Sequence, residues 1–438
     1  MQVGAPAPIF RSIARLSAPG LALAAFQAAV SIADTHFVGR LGTEPLAGLA
    51  LVFPLVMLLQ MTSAGAMGGG VSSAIARARG AGNEVTARRL VVHAMFIAFS
   101  AGLLFTAVFL VLGRPLYSLL GGTGGALAQA SAYSDVLFGG AALVWLANTF
   151  AASLRGGGST AIPAAALAAA ALVQVPLSGA LTLGWGPFPA LGIRGAALAY
   201  AVSFGVAAVI MGACVWAGAL RPREGDWKLE WRLFREILRV GALSSVSSLQ
   251  TVAAAIILTG CVGTFGTAAI AGYGVGVRLE LLLVPIVFAI GQALVILVGT
   301  HVGAGRAAQA RRIAWSGTLA AMAICLAIGL AAALAPSVWI GLFSDDAGVH
   351  QAGSLYLRIV APLYPLFGAG MALYFAAQGA GRVGLPILAG TARLLVVAAG
   401  GLVVVWSGIP LAWLFAIIAF GMAVFGGVAA AGVHHTKW

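Results

Sequence analysis

Apolar residues run along this chain in blocks of about 20 or more, separated by short breaks rich in Gly, Pro and Arg. A helix needs about 20 apolar residues to cross a hydrocarbon core, whereas a barrel strand needs about 9–11 of alternating type, so the pattern predicts helices. Spans are expected at 14–38, 44–76, 90–113, 131–153, 162–184 and 194–219, then at 240–262, 268–300, 313–337, 352–377, 386–405 and 409–432. These twelve fall six and six about the one long polar stretch, 221–239, whose Trp227 and Trp231 suit a membrane interface. The expected organisation is an N-lobe over 1–220, an amphipathic cytoplasmic linker over 221–239 and a C-lobe over 240–438.

The two halves share a word. Gly80-Ala81-Gly82, followed by Ala87-Arg88-Arg89-Leu90, returns 223 residues later as Gly303-Ala304-Gly305, followed by Ala310-Arg311-Arg312-Ile313. Gly39 to Thr43 matches Gly263 to Thr267, and Gly156 and Pro163 match Gly379 and Pro386. Internal duplication with Gly-broken apolar segments is a recurring construction of secondary transporters, with the substrate site between the repeats. An even number of spans in each half makes the repeat parallel, related by a pseudo-two-fold axis along the membrane normal.

Composition agrees: 61% of residues are hydrophobic and 8% charged, against roughly 45–50% and 25% in soluble domains. The net charge of +13 does not point to nucleic acid, because the basic residues cluster in short connections between apolar runs. Most of them, Arg155, Arg393 and Lys437 included, fall on the side that holds both termini; Arg40, Arg114 and Arg194 fall on the other. The positive-inside rule then places both termini in the cytoplasm, across a bacterial-type inner membrane. Cys214, Cys261 and Cys325 lie in apolar runs without metal or redox spacing, as small buried hydrophobes do. The first apolar run is too long for a signal-peptide core and is expected to be retained. No HExxH, GxSxG or Asp-rich diphosphate motif argues for an enzyme, and His36, His93, His301 and His350 are expected at interfaces.

Within the spans, Asp34 carries the most information. An acid inside a span costs about 2.5–3.5 kcal/mol on insertion scales and marks ion or proton pathways. Gln27, Ser31 and Asp34 follow at i, i+4 and i+7, so one helix face is polar and should line a wet cavity. The alternative is a carboxylate that snorkels outward or pairs with Arg40. The scaffold glycines recur in the second half, but the counterpart of Asp34 is Ile257 or Leu258, which points to work done in one lobe only. Arg278 and Glu280 form a second charged set, read either as cargo contacts or as a structural ion network with Arg358. Ser244, Ser245, Ser247, Ser248, Gln250 and Thr251 make the seventh span polar enough to border a cavity or to pack by hydroxyls. Pro19, Pro54, Pro176 and Pro285 lie within spans as hinges or static kinks, and Asp345 and Asp346 are expected to be merely solvated.

The stretch from Ala33 to Thr43 (ADTHFVGRLGT), with Leu46-Ala47-Gly48 behind it, resembles the first-span signature of the MATE (multidrug and toxic compound extrusion) family. The Gly-Ala-Gly words, Arg155-Gly156-Gly157-Gly158 and the stretch from Gly192 to Ala197 fit it too. Arg278-Leu279-Glu280 resembles the DinF-type branch. The resemblance covers nearly the whole chain. It implies an all-α membrane protein with two six-helix lobes in a V shape, exporting organic compounds against inward H⁺ or Na⁺. Where members of this type often carry Asn and Asp four apart in the fifth span, this chain has Gln174 and Ser178; where a Thr is common in the sixth, it has Tyr200. That leaves Asp34 as the only carboxylate of the N-lobe cavity, with Gln27, Ser31, Asn148, Gln174, Ser178 and Tyr200 as neutral neighbours. Arg278, Glu280 and Gln250 are the C-lobe cavity candidates.

The expected activity is therefore multidrug antiport of small organic cations or amphipathic drugs for H⁺, coupled through Asp34. The chain is expected to act as a monomer in the bilayer, with no cofactor, no bound metal and no nucleic acid. Na⁺ coupling is the first alternative. Flipping of lipid-linked saccharides, as relatives in the same superfamily do, is the second; it would need a basic cavity, for which only Arg278 and Arg358 are candidates.

Overall fold

A computed structural model describes residues 6–435, so Lys437 lies outside the described residues. The first half comprises α1 (Pro6–Gly39), α2 (Thr43–Gln60), a π-helical segment (Met61–Met67) running on into α3 (Gly68–Gly80), α4 (Glu84–Leu119), α5 (Gly124–Gly139), α6 (Ala141–Gly156), α7 (Ala161–Leu183) and α8 (Ile193–Ala217). A short 3₁₀ turn (Glu224–Trp227) follows. The second half comprises α9 (Trp231–Gly263), α10 (Thr267–Gly303), α11 (Ala307–Leu334), α12 (Pro336–Ile340), α13 (Ala347–Val360), a 3₁₀ turn (Ala361–Leu363), α14 (Tyr364–Gly379), α15 (Gly384–Ser407) and α16 (Leu411–His435). Among the described residues there is no strand, and eleven helices are long and apolar enough to cross a membrane. α5 and α6, bent by 48° at Gly140, bring the count to twelve if read as one span.

The glycine words act as helix stops. Gly82 and Gly305 both adopt a left-handed backbone, with φ of 73° and 71°. In each case the next N–H turns back across the last turn, Asn83 to the Ala78 carbonyl and Arg306 to the His301 carbonyl. Such reversals leave orphan carbonyls satisfied and suit residues without a Cβ. Asn83 then opens α4 by accepting from the Thr86 N–H at 2.9 Å. Gly158 and Gly381 repeat the same device.

Two compact units emerge, Ala18–Ala242 and Met1–Ser17 with Leu243–Trp438. α1 changes unit two residues before Pro19, and α9 changes unit after Gly241-Ala242. Small residues let helices approach within each unit. At Gly195 a Cβ would lie 2.4 Å from the Leu181 backbone, and at Gly272 one would lie 2.6 Å from the Gly353 nitrogen. Aromatic residues fill the cores: Phe109 stacks on Phe138 at 4.2 Å in the first unit, and Tyr356 meets Phe415 edge-on at 5.2 Å in the other. Cys261 and Cys325 are free and buried.

The structure corrects several boundaries. Residues 231–239, expected as linker, are the first turns of α9, continuous with the seventh span. The rest of the linker is pinned to the first unit. Arg88 Nε donates to Asp226 Oδ2 at 2.9 Å, Arg89 pairs with Glu230 at 2.8 Å, and the Glu230 N–H donates to His93 Nε2 at 2.9 Å. His93 is thus fully buried as a clamp rather than interfacial. Asp346 is not merely solvated, since its Oδ1 caps α13 by accepting from the Val349 N–H at 2.9 Å.

Candidate functional site

α1 presents Asp34 five residues before its end, half-buried. Gln174, mid-way along α7, donates from Nε2 to Asp34 Oδ2 at 2.7 Å, and Gln174 Oε1 accepts from the Ser203 hydroxyl of α8 at 2.9 Å. That pairing fixes the amide, since a carboxylate oxygen accepts and needs the NH₂ end. One turn back on α8, Tyr200 accepts from Gln60 Nε2, whose Oε1 accepts from Asn148 Nδ2 at 3.1 Å; Asn148 also donates to Ser63 Oγ at 2.8 Å. The Ser203 hydroxyl lies 2.8 Å from the Tyr200 carbonyl and joins the two strings. One network therefore runs from α1 through α7 and α8 to α2 and α6, and only Asp34 in it carries charge.

The sequence explains the turn at Gln60 and Ser63. They flank the start of the π-helical widening, and the Thr62 and Ser63 hydroxyls bond back to the Leu58 and Leu59 carbonyls at 2.7 and 2.6 Å. Hydroxyls at such a bulge occupy carbonyls that the wider turn leaves out of register.

Of the expected residues, the structure joins Asp34, Gln174, Tyr200 and Asn148. Ser178 stands one turn beyond Gln174, buried, and its hydroxyl is the second side-chain neighbour of the Asp34 carboxylate. Gln27 and Ser31 share the α1 face but are exposed and outside the network. Asp34 meets Gln174, not Arg40. Sequence reasoning missed Gln60, Ser63 and Ser203, although Gln60 is the one amide between residues 44 and 76. It also passed over Asp135 on α5, an exposed acid outside the network.

In the other unit, Glu280 pairs with Arg393 of α15 at 3.6 Å and accepts from the Tyr356 hydroxyl at 3.0 Å. The Arg393 guanidinium lies over Phe367 and Phe425, 5.5 and 5.9 Å from their centroids. The expected network partner is Arg358; the partner found is Arg393, inside the span expected at 386–405. Arg278 points elsewhere, over Phe343 at 5.2 Å, and Gln250 donates to Thr391 at 2.7 Å. The C-lobe candidates thus make three separate contacts. Among the described residues no group of three or more His, Cys, Asp or Glu is arranged to hold a metal ion.

Comparison with known proteins gives a consistent picture. The MatE family model matches residues 21–179 and 244–403, two stretches whose starts differ by the same offset as the glycine words. A protein of Shewanella oneidensis named as an FAD transporter is 28% identical over 83% of this chain and 80% of its own length. A probable multidrug resistance protein NorM of Deinococcus radiodurans is 28% identical over 89% of this chain and 87% of its own. Among solved structures, an outward-facing multidrug resistance MATE transporter superposes with a TM-score of 0.89 at 24% identity, covering 98% of this chain and 96% of that one. The Vibrio cholerae MATE transporter VcmN in its bent form gives 0.88 at 21% identity, covering 98% and 97%.

Proposed function

We propose, from the premise that this chain belongs to the MatE family, that it is a multidrug exporter of small organic cations or amphipathic drugs, driven by protons through Asp34. The observation that carries the reading is the company of that carboxylate. Its two side-chain partners, the Gln174 amide and the Ser178 hydroxyl, are neutral, and so is every other member of the network. An ionised Asp34 attracts a cationic cargo; a protonated one does not, and a shared site then converts proton entry into cargo release. Linkage requires only that proton and cargo bind the two states differently.

Proton rather than Na⁺ coupling is supported by what faces the acid. Na⁺ takes several oxygen ligands, whereas Gln174 turns its N–H toward Asp34. The coupling lobe is read as residues 1–220, the linker as 221–239, its last part being the first turns of α9, and the second lobe as 240–438, with both termini on the cytoplasmic side of a bacterial inner membrane and the chain acting as a monomer. The relative named as an FAD transporter marks anionic cargo as the competing class. Efflux from cells separates the readings: Asp34→Asn abolishes resistance to a cationic dye such as ethidium at unchanged protein level. Undiminished resistance in that variant rules out the coupling role, and transport of FAD but no cation rules out the cargo class.

A further inference from the structure

The two repeats differ at one place in a way that the Asp34 network does not use. At the repeat offset, Arg155 corresponds to Gln378, Ala152 to Phe375, Gly69 to Gln292 and Gly68 to Gly291. In the C-terminal unit the Phe375 ring lies directly on Gly291, where a Cβ would come 2.1 Å from it, and Gln378 donates to Ser244 at 3.1 Å. In the N-terminal unit the same positions hold Ala152 and a run of three buried glycines, Gly68 to Gly70. A Cβ on Gly68 would lie 3.6 Å from Ala152 and 3.7 Å from Arg155 Nη2. Bulk has been replaced by small residues, and an amide by a permanent cation. The backbone differs too: the π-helical segment Met61–Met67 precedes the glycines, whereas α10 passes through the corresponding stretch as continuous α-helix. π segments recur at functional sites.

Among the described residues Arg155 has no counter-charge. Its Nε and Nη2 are shielded and have no hydrogen-bond partner, and none of the ion pairs among the described residues includes it. Arg393 and Arg278 are different, the first held by Glu280 and two rings, the second by Phe343. A buried guanidinium left unpaired is costly and is ordinarily matched. Nε and Nη2 form the edge of the guanidinium fork that grips a carboxylate or phosphate with two parallel N–H bonds. The residue as a whole is half-buried, although these two nitrogens are themselves covered.

We infer that Arg155, beside Gly68 and Ala152, is an oxyanion site that receives a carboxylate or phosphate group. It is independent of the reading of Asp34. Two sources share this chemistry, a soluble oxyanion such as the acidic group of a cargo and the phosphate of a lipid headgroup. The test is the thermal unfolding midpoint of the full chain. In a neutral detergent it is titrated with inorganic phosphate against chloride at equal ionic strength. In lipid nanodiscs it is compared with and without phosphatidylglycerol. The expected result is a saturable rise of about 2 °C or more in at least one arm, lost in Arg155→Gln and weakened in Arg155→Lys. A rise with phosphate assigns a soluble group, and a rise with phosphatidylglycerol alone assigns the headgroup. No rise in the unmodified protein, whatever the variants do, overturns the site, as does an equal rise in Arg155→Gln.

Discussion

At Asp34 two neutral side chains face the carboxylate, and they set what substitutions do. Gln174 holds Oδ2 with an amide N–H, and the Ser178 hydroxyl is the carboxylate's other side-chain neighbour. Gln174→Leu removes a hydrogen bond to a charged group, worth about 1.5–3 kcal/mol, and should slow proton-driven efflux about tenfold or more with the protein still folded. Initial efflux rates in vesicles check this. In the other unit, Arg393→Met leaves Glu280 shielded without its cation and should destabilise by about 3–5 kcal/mol, whereas Arg393→Met with Glu280→Met should recover most of the loss. Unfolding midpoints of the single and double variants decide it; equal midpoints would mean that the pair contributes nothing. Asp34 and Glu280 were legible as acids inside apolar runs. Their partners were not, because Gln174 lies 140 residues from Asp34 and Arg393 lies 113 residues from Glu280.

Among the elements, the linker and the close helix pairs are the most exposed to test. Burial opposes ionisation of Asp226, but the Arg223 N–H, the Arg88 hydrogen bond and the charges of Arg88 and Arg89 outweigh it and hold its carboxyl below the usual carboxylate range. A lowered folded value means that the clamp contributes stability above the unfolded pKa, about 4, and loses it as pH falls through the folded one. Asp226→Asn should therefore be less stable than the unmodified chain at pH 7, and the two should converge as the pH drops well below about 4. Melting curves across that range read the convergence. Gly195→Val forces a side chain into the Leu181 backbone and should cost about 1–3 kcal/mol, seen as a lower yield of folded protein. Apolar periodicity located the spans because lipid demands length. It could not locate the bend at Gly140 or the start of α9, since a helix that leaves the bilayer does not change its hydrogen bonding there.

For the whole molecule, duplication was readable directly. Equal offsets between glycine words become equal left-handed helix stops, and the family match falls twice in the same register. What the duplication hid was asymmetry. Asp34 has an apolar counterpart and Arg155 an amide one, so the N-terminal repeat alone carries titratable and charged groups at these places. An asymmetric pair of repeats is what an ion-coupled exporter needs if one lobe binds the driving ion. The most direct test is the purified chain reconstituted in liposomes, with pH and Na⁺ gradients imposed separately and ethidium movement recorded. An imposed pH gradient should drive transport, a Na⁺ gradient at equal pH should not, and Asp34→Asn should be silent in both. Transport driven by Na⁺ alone, or a pH-driven signal that survives Asp34→Asn, would contradict proton coupling through this carboxylate.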